Sequence, residues 1–251
     1  MHTNRDPIRD IRNKYYDNTD RFAEFHERRV DPEHEVRAEE DYPLAVIHIA
    51  PKLAFSKAAT RFTVPDLLNR EVRLHTGSNR PRRPEMMFDR VTSTTDPAPQ
   101  RGKGGLEVNL YENAVLELMT ARASYEKGSG HIISDTSLIN SIAGNLAIVL
   151  SLLAERRQDQ NVLMTATFVG FDGTKFKPNR PTRPVTDEYV QAPVLSFSGH
   201  ELQEDEDDSA YELRTEQLKE LFRPLFHSAD RKDLPMDIPE TLDLPDLSLD
   251  E

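Results

Sequence analysis

The chain has 251 residues, 37% of them apolar and 30% charged, enough for one large domain or for a domain with polar tails. It contains no cysteine, which excludes disulfides, thiolate metal sites and cysteine nucleophiles. The formal net charge of −12 belongs to residues 201–251, with 17 acidic and 5 basic side chains, while residues 1–200 are balanced; the body therefore lacks the overall basic signature of a nucleic-acid-binding domain.

The first ten residues, MHTNRDPIRD, hold no apolar run, so no secretory signal is read and a cytoplasmic protein is expected. Over 5–30, Ile8, Ile11, Tyr15, Phe22 and Phe25 recur at helical spacing on an otherwise charged segment. An amphipathic helix is predicted, capped by Asn4 or Asp6 with Pro7 in its first turn. The polar stretch 31–41 then connects to 43–51, a buried-type strand bracketed by prolines. His48 sits inside that strand, where a lone histidine is expected to be a hydrogen-bonded core residue rather than a ligand. Thr63 and Pro65 mark the start of a short helix over 63–69.

Residues 70–105 read as irregular. They include the run Arg80-Pro81-Arg82-Arg83-Pro84, a short strand signal at Met86, Met87, Phe88 and Val91, and a Gly-rich turn at 102–105 that lacks phosphate-loop spacing. Alternation over 106–111 and 115–119 predicts a hairpin turning at Glu112-Asn113, with Asn supplying the positive φ. Residues 131–133 add a short piece. From 136 to 154 there is no charge at all. Leu138, Ile142, Leu146, Val149 and Leu153 form one helical stripe, with Ile139, Ala143, Ala147 and Leu150 beside it. A helix apolar on so much of its surface is expected to be buried on most sides, and its two asparagines argue against a membrane span. Residues 162–171 follow as a strand rich in β-branched and aromatic side chains, and Asp172-Gly173 as a turn. Residues 189–197 read as an edge strand, 204–208 as a disordered acidic block, 211–226 as an amphipathic helix, and the acidic, leucine- and proline-bearing end as disordered.

The expected architecture is an α+β fold, a mixed sheet packed on one long buried helix. An N-terminal amphipathic helix with its connector (1–35) precedes the core domain (36–200), and an acidic helical and disordered tail (201–251) follows. Three segments, PLAVIHIAPKLAF at 43–55, GLEVNLYENAVLEL at 105–118, and the uncharged helix with NVLMTATFVGF at 161–171, resemble the C-terminal region of prokaryotic Schlafen/Alba-type DNA-binding, ATP-binding proteins. The N-terminal Alba-like domain of that family has no counterpart here, so no catalytic or nucleotide-binding residue carries over. The resemblance implies an accessory module.

Chemistry is sparse in the sequence. His26, Glu33, His34 and Glu35 are a local cluster without metal-ligand spacing and read as a solvated helix end. No nucleophile elbow is present. No catalytic residue, cofactor or metal is assigned. Two basic loops are the candidate contacts to a nucleic-acid backbone: Arg80, Arg82, Arg83, Arg90, Arg101 and Lys103 in the first, Lys175, Lys177, Arg180 and Arg183 in the second. Such arginines equally serve as solvated partners of nearby acids. The expected function is a non-catalytic accessory or interaction module with a protein partner, in DNA-linked regulation or defence. The alternative is a backbone binder using the two loops, restrained by the acidic tail.

Overall fold

The computed structural model describes residues 7–30, 43–57, 59, 61–69, 85–94, 106–120, 124–127, 130–133, 139, 142, 144–146, 148–150, 152–153, 161–176, 183–197, 203–205, 208–230 and 241–243. The fold is α+β. Its first helix, α1 (Pro7–Val30), leads to β1 (Leu44–Pro51) and the short α2 (Val64–Asn69). Strands β2 (Glu85–Met86), β3 (Arg90–Thr94), β4 (Leu106–Tyr111) and β5 (Leu116–Thr120) follow as antiparallel neighbours. Then come β6 (Ser124–Lys127), β7 (Gly130–Ile133), a helix α3 with helical positions between 139 and 153, and β8 (Val162–Val169). The chain continues through β9 (Lys175–Phe176), β10 (Tyr189–Gln191), β11 (Leu195–Phe197), β12 (Gln203–Asp205) and β13 (Asp208–Arg214) to α4 (Thr215–Ser228) and β14 (Thr241–Asp243).

The main sheet runs β10-β8-β1-β5-β4-β3-β2, with β11 also on β8, and every pairing in it is antiparallel. A mixed main sheet was the expectation. Among the described residues the parallel pairing is that of β7 with β9, in a small separate sheet. The reason is local: hairpins join β2 to β5, and β1 lies between two strands that both run against it. β10 and β11 divide the expected edge strand 189–197, because Pro193 between them has no N–H to donate.

Strand alternation gives the sheet two different faces. Ala45, Ile47 and Ile49 of β1, Leu116 and Leu118 of β5, Leu106, Val108 and Leu110 of β4, and Met164, Ala166 and Phe168 of β8 share one core. Ile139, Ile142, Leu146, Val149, Leu150 and Leu153 of α3 are buried in that same core, as are Leu218, Leu221, Phe222, Leu225 and Phe226 of α4. Phe168 meets Phe222 at 5.8 Å between ring centroids. Thus α4, though it lies in the acidic C-terminal segment, is part of the body.

The opposite face carries α1. Phe22 packs with Ala50, Val115 and Leu163, and Val30 packs with Leu44, Val46 and Met119. These two apolar clusters, one at Phe22 and one at Val30, leave a gap between them.

Two stretches differ from expectation, as does the tail read as disordered, where 241–243 pair with β13 as a strand. In the β4–β5 hairpin the positive φ belongs to Ala114 (58°), not to Asn113. Ala114 donates to the Tyr111 carbonyl and Tyr111 donates to the Val115 carbonyl, a three-residue loop whose last residue is left-handed. The Asn113 side chain instead donates to the Ala54 carbonyl. The acidic block is the second: 203–205 and 208–214 pair as strands, and the helix expected from Tyr211 begins at Thr215. Tyr211 and Leu213 alternate with Glu212 and Arg214, a period-two pattern that suits a strand. Gly173, at φ 75°, makes the expected turn after β8.

Candidate functional site: a polar rung beneath α1

The gap under α1 is filled by polar side chains in register. Thr92 of β3 faces Asn109 of β4, Asn109 faces Glu117 of β5, Glu117 faces His48 of β1, and His48 faces Thr165 of β8. These five residues form one rung across five strands, all on the α1 side. In β1 and β5 the rung residue is the one polar side chain on that face of the strand. From above, α1 contributes His26 and Arg29, three residues apart and hence on one helical face.

Glu117 is the centre. Its side chain is fully buried. Arg29 Nε donates to Oε2 and Arg29 Nη2 to Oε1, both at 2.7 Å, the paired geometry that suits guanidinium and carboxylate. His48 Nε2 donates to Oε2 at 2.9 Å, Asn109 Nδ2 to Oε1 at 2.9 Å, and Tyr111 Oη to Oε1 at 3.3 Å. Burial by itself pushes the carboxyl pKa up, but the hydrogen bonds from Arg29 and His48 outweigh it and hold the group well below the usual carboxylate range. Glu117 is therefore an anion. The same contact raises Arg29 above the ordinary guanidinium value, and burial, aided by the Glu117 charge, pushes Tyr111 up.

The outer atoms of the rung are also engaged. Thr92 Oγ1 donates to Asn109 Oδ1 at 2.7 Å, and Asn109 Nδ2 donates to Glu107 Oε1 at 2.8 Å. Phe25 of α1 seals the cluster, its ring edge-on to His48 at 5.0 Å and to Tyr111 at 5.8 Å.

Both histidines are fully buried. His26 Nδ1 lies 2.5 Å from His48 Nδ1, and His26 Nε2 lies 2.6 Å from Thr167 Oγ1. The protons on this chain follow from its anionic end. A carboxylate only accepts, so His48 Nε2 carries a hydrogen. In neutral His48 the other nitrogen, Nδ1, then accepts from His26 Nδ1–H. Neutral His26 in turn accepts at Nε2 from the Thr167 hydroxyl. The result is a one-way relay, Thr167 to His26 to His48 to Glu117. Burial and the neighbouring His48 lower the His26 pKa to about 3, against a smaller upward pull from Glu117.

Chemically, the cluster is closed. Five donors meet the two oxygens of Glu117, more than the roughly four lone-pair sites of a carboxylate. No acceptor site on Glu117 is left to act as a general base. The facing imidazoles also leave no room for an ion, which needs about 2.0–2.1 Å to each nitrogen. Among the described residues no group of three or more His, Asp and Glu side chains is arranged to hold a metal.

His48 is the hydrogen-bonded core histidine that the sequence suggested. His26 is not part of a solvated helix end; it is buried against the sheet. Of the ten basic residues, Arg90, Lys175 and Arg183 fall within the described part, and the other seven lie outside it. Arg90 is mostly buried: it pairs with Asp89 at 3.0 Å, its guanidinium carbon lies 5.5 Å from the centre of the Tyr111 ring, and its buried Nε has no hydrogen-bond partner among the described residues. Arg183 is exposed and pairs with Asp230 at 2.7 Å. Lys175 is exposed on β9. Arg90 thus belongs beside the rung and is not grouped with the other two. The described ends of the two loops are closer: Thr94 and Leu106, flanking 95–105, lie at the same end of the sheet as Val169, which leads to Lys175. Four strand spacings, about 19 Å, separate β3 from β8.

The sheet's other notable surface is its β2 edge. Phe88 at the β2–β3 turn is fully exposed, flanked by Met86 (63%) and Met87 (47%).

No protein family, curated protein or solved structure matches the chain. Among the described residues, no helix is long and apolar enough to cross a membrane.

Proposed function

We propose that the chain is a non-catalytic, cytoplasmic interaction module that works with a protein partner, in the DNA-linked regulation or defence implied by its resemblance to the Schlafen/Alba-type C-terminal region. The observation that carries this reading is the Met86-Met87-Phe88 edge. Three large apolar side chains stand exposed, Met86 on a two-residue edge strand and Met87 and Phe88 in the turn that follows it, where aromatic and methionine residues favour protein contact. Closure of the Glu117 cluster supports it further, since the cluster's hydrogen-bonding groups are turned on one another. In this reading the uncharged helix α3 is interior scaffold for the sheet that presents the edge.

Retention of proteins from the native host by immobilised wild-type chain and by Phe88→Asp tests the proposal. A partner held by the wild type and lost by Phe88→Asp is expected. Retention of the same proteins by both, or of none by either, refutes it.

A second reading, a nucleic-acid backbone binder, is favoured by one fact: the described ends of both basic loops lie at the same end of the sheet, four strand spacings apart. Duplex binding by the full chain and by a chain ending at residue 243 is then measured across salt. A negative salt slope, steeper for the shorter chain, supports the reading with its acidic restraint; no binding by either removes it.

A further inference from the structure

The relay under α1 has a limited capacity for protons, and that limit has a mechanical consequence. In the neutral pair a single hydrogen lies between the two facing Nδ1 atoms. One added proton is accommodated without movement: the pair becomes a cation still sharing that hydrogen, and His26 Nε2 gains a hydrogen to donate to Thr167 Oγ1, which has lone pairs to accept it. A second added proton has nowhere to go. It puts a hydrogen on each Nδ1, and an N–H bond of about 1.0 Å on either side cannot fit between nitrogens 2.5 Å apart. The two like charges also repel, since both rings are fully buried. One ring belongs to α1 and the other to β1, so relief means parting the helix from the strand.

The charged and titratable groups that face the pair have been placed. Arg29, on α1, adds positive charge and opposes protonation. Glu117, on β5, favours it but is already neutralised by Arg29. Tyr111 and Glu107 of β4 and Arg90 of β3 lie farther along the rung, and β8 contributes only the hydroxyls of Thr165 and Thr167. Among the described residues no second carboxylate reaches the rings to hold a doubly charged pair.

We propose that α1 is a proton-released latch: double protonation of the His26–His48 pair parts the helix from the sheet and uncovers the apolar side chains of β1, β5 and β8 beneath it. The surface uncovered includes Val46, Ala50, Val115 and Leu163, now covered by Phe22 and Val30 or their neighbours. The latch is independent of the Met86–Phe88 edge and stands or falls without it.

Amide hydrogen exchange of the full chain between pH 7.5 and 4, corrected for the intrinsic rate, tests this. Amides of 18–30 are expected to lose protection ten- to hundredfold per pH unit once the latch titrates, for uptake of one to two protons on release, while β1, β5 and β8 stay protected. His26→Asn keeps a donor toward His48 Nδ1 without a titrating ring, and its α1 is expected to stay docked over the same range. His48→Gln, which retains a donor toward Glu117, serves the same purpose if His26→Asn does not fold. PH-independent protection of 18–30, loss of the sheet and helix together, or an unchanged acid release in the variant overturns the proposal.

Discussion

Replacing Glu117 by Gln isolates the clamp that holds α1. The amide has the carboxylate's shape, so packing is conserved, but one oxygen becomes an NH2 group and the charge is lost. One nitrogen must now face either Arg29 Nη2, Asn109 and Tyr111 or Arg29 Nε and His48. On the His48 side the relay can invert: His48 Nε2 accepts from the amide, its Nδ1 donates to His26, and His26 Nε2 donates to Thr167. Arg29 has no such remedy, because a guanidinium only donates. Removing one partner of a buried ion pair costs about 3–5 kcal/mol. The Arg29 side chain retains 27% exposure, so water reaches it and the lower end, about 3 kcal/mol, is expected. With a urea m-value of about 2 kcal/mol/M, the midpoint falls by about 1.5 M. The chain has no tryptophan, so far-UV circular dichroism is the suitable probe. The cycle with Arg29→Gln adds the decisive comparison. The double variant should lose far less than the two singles summed, with a coupling of about 1–3 kcal/mol. A midpoint shift below about 0.5 M, or additive losses, would refute the claim that Glu117 and Arg29 act as one clamp.

Acidification should destabilise the fold through His26. Its folded pKa of about 3 lies below the ordinary 6.5, so the unfolded chain takes the proton first. The full contribution is present above pH 6.5 and is lost toward pH 3 at roughly 1.4 kcal/mol per unit, a slope that denaturation at several pH values should show and His26→Asn should flatten. Thr63 caps α2 with reciprocal bonds to Asp66, each 3.2 Å, so Thr63→Ala should cost about 0.5–2 kcal/mol by urea titration. Phe88→Asp should alter stability by no more than about 0.5 kcal/mol, since its side chain is fully exposed, while removing partner capture; a large loss of stability would place Phe88 in a contact not evident at the edge.

Much of the fold was legible because local signals agreed. The strand at His48, the Thr63 cap, the hairpin of 106–119 and the uncharged helix each combine a period with a start or stop residue. The β4–β5 turn was misassigned at one position because Asn113 and Ala114 compete for the left-handed role. The Asn side chain is drawn off to the Ala54 carbonyl, and the backbone then forces Ala114 over. The site was less legible. His48 was visible alone, but His26, Glu117, Asn109 and Thr92 are remote in sequence, and only the strand register brings them to one rung. A signal existed: β1 and β5 each carry one polar residue, and β4 two, at interior positions of the parity opposite the apolar core. Its partners could not be deduced without knowing which strands adjoin. The basic loops were conspicuous by composition, but composition does not show that Arg90 turns inward onto Tyr111.

A buried ion pair is weak evidence for stability, since well-packed apolar residues of the same volume often do as well or better. The arrangement of this one suggests a different benefit. Side chains alternate along each strand, so a slip of β1 against β5 by one residue would turn a whole strand over. Glu117 or His48 would then enter the core of Val108, Ile142 and Phe168 without a partner, at the cost of an unpaired buried polar group or charge. An all-apolar face would tolerate that slip with little penalty, because β1 and β5 are buried on both sides and, Thr120 at the end of β5 aside, otherwise apolar. The rung thus makes the native register of β5, β1 and β4 distinct from its neighbours. Arg29 and His26 extend the same discrimination to α1: a helix displaced by one turn would lose both Glu117 and Thr167. On this argument the polar row is kept because it selects a single alignment of helix and strands, and the proton sensitivity of α1 follows from making two of the selecting groups imidazoles.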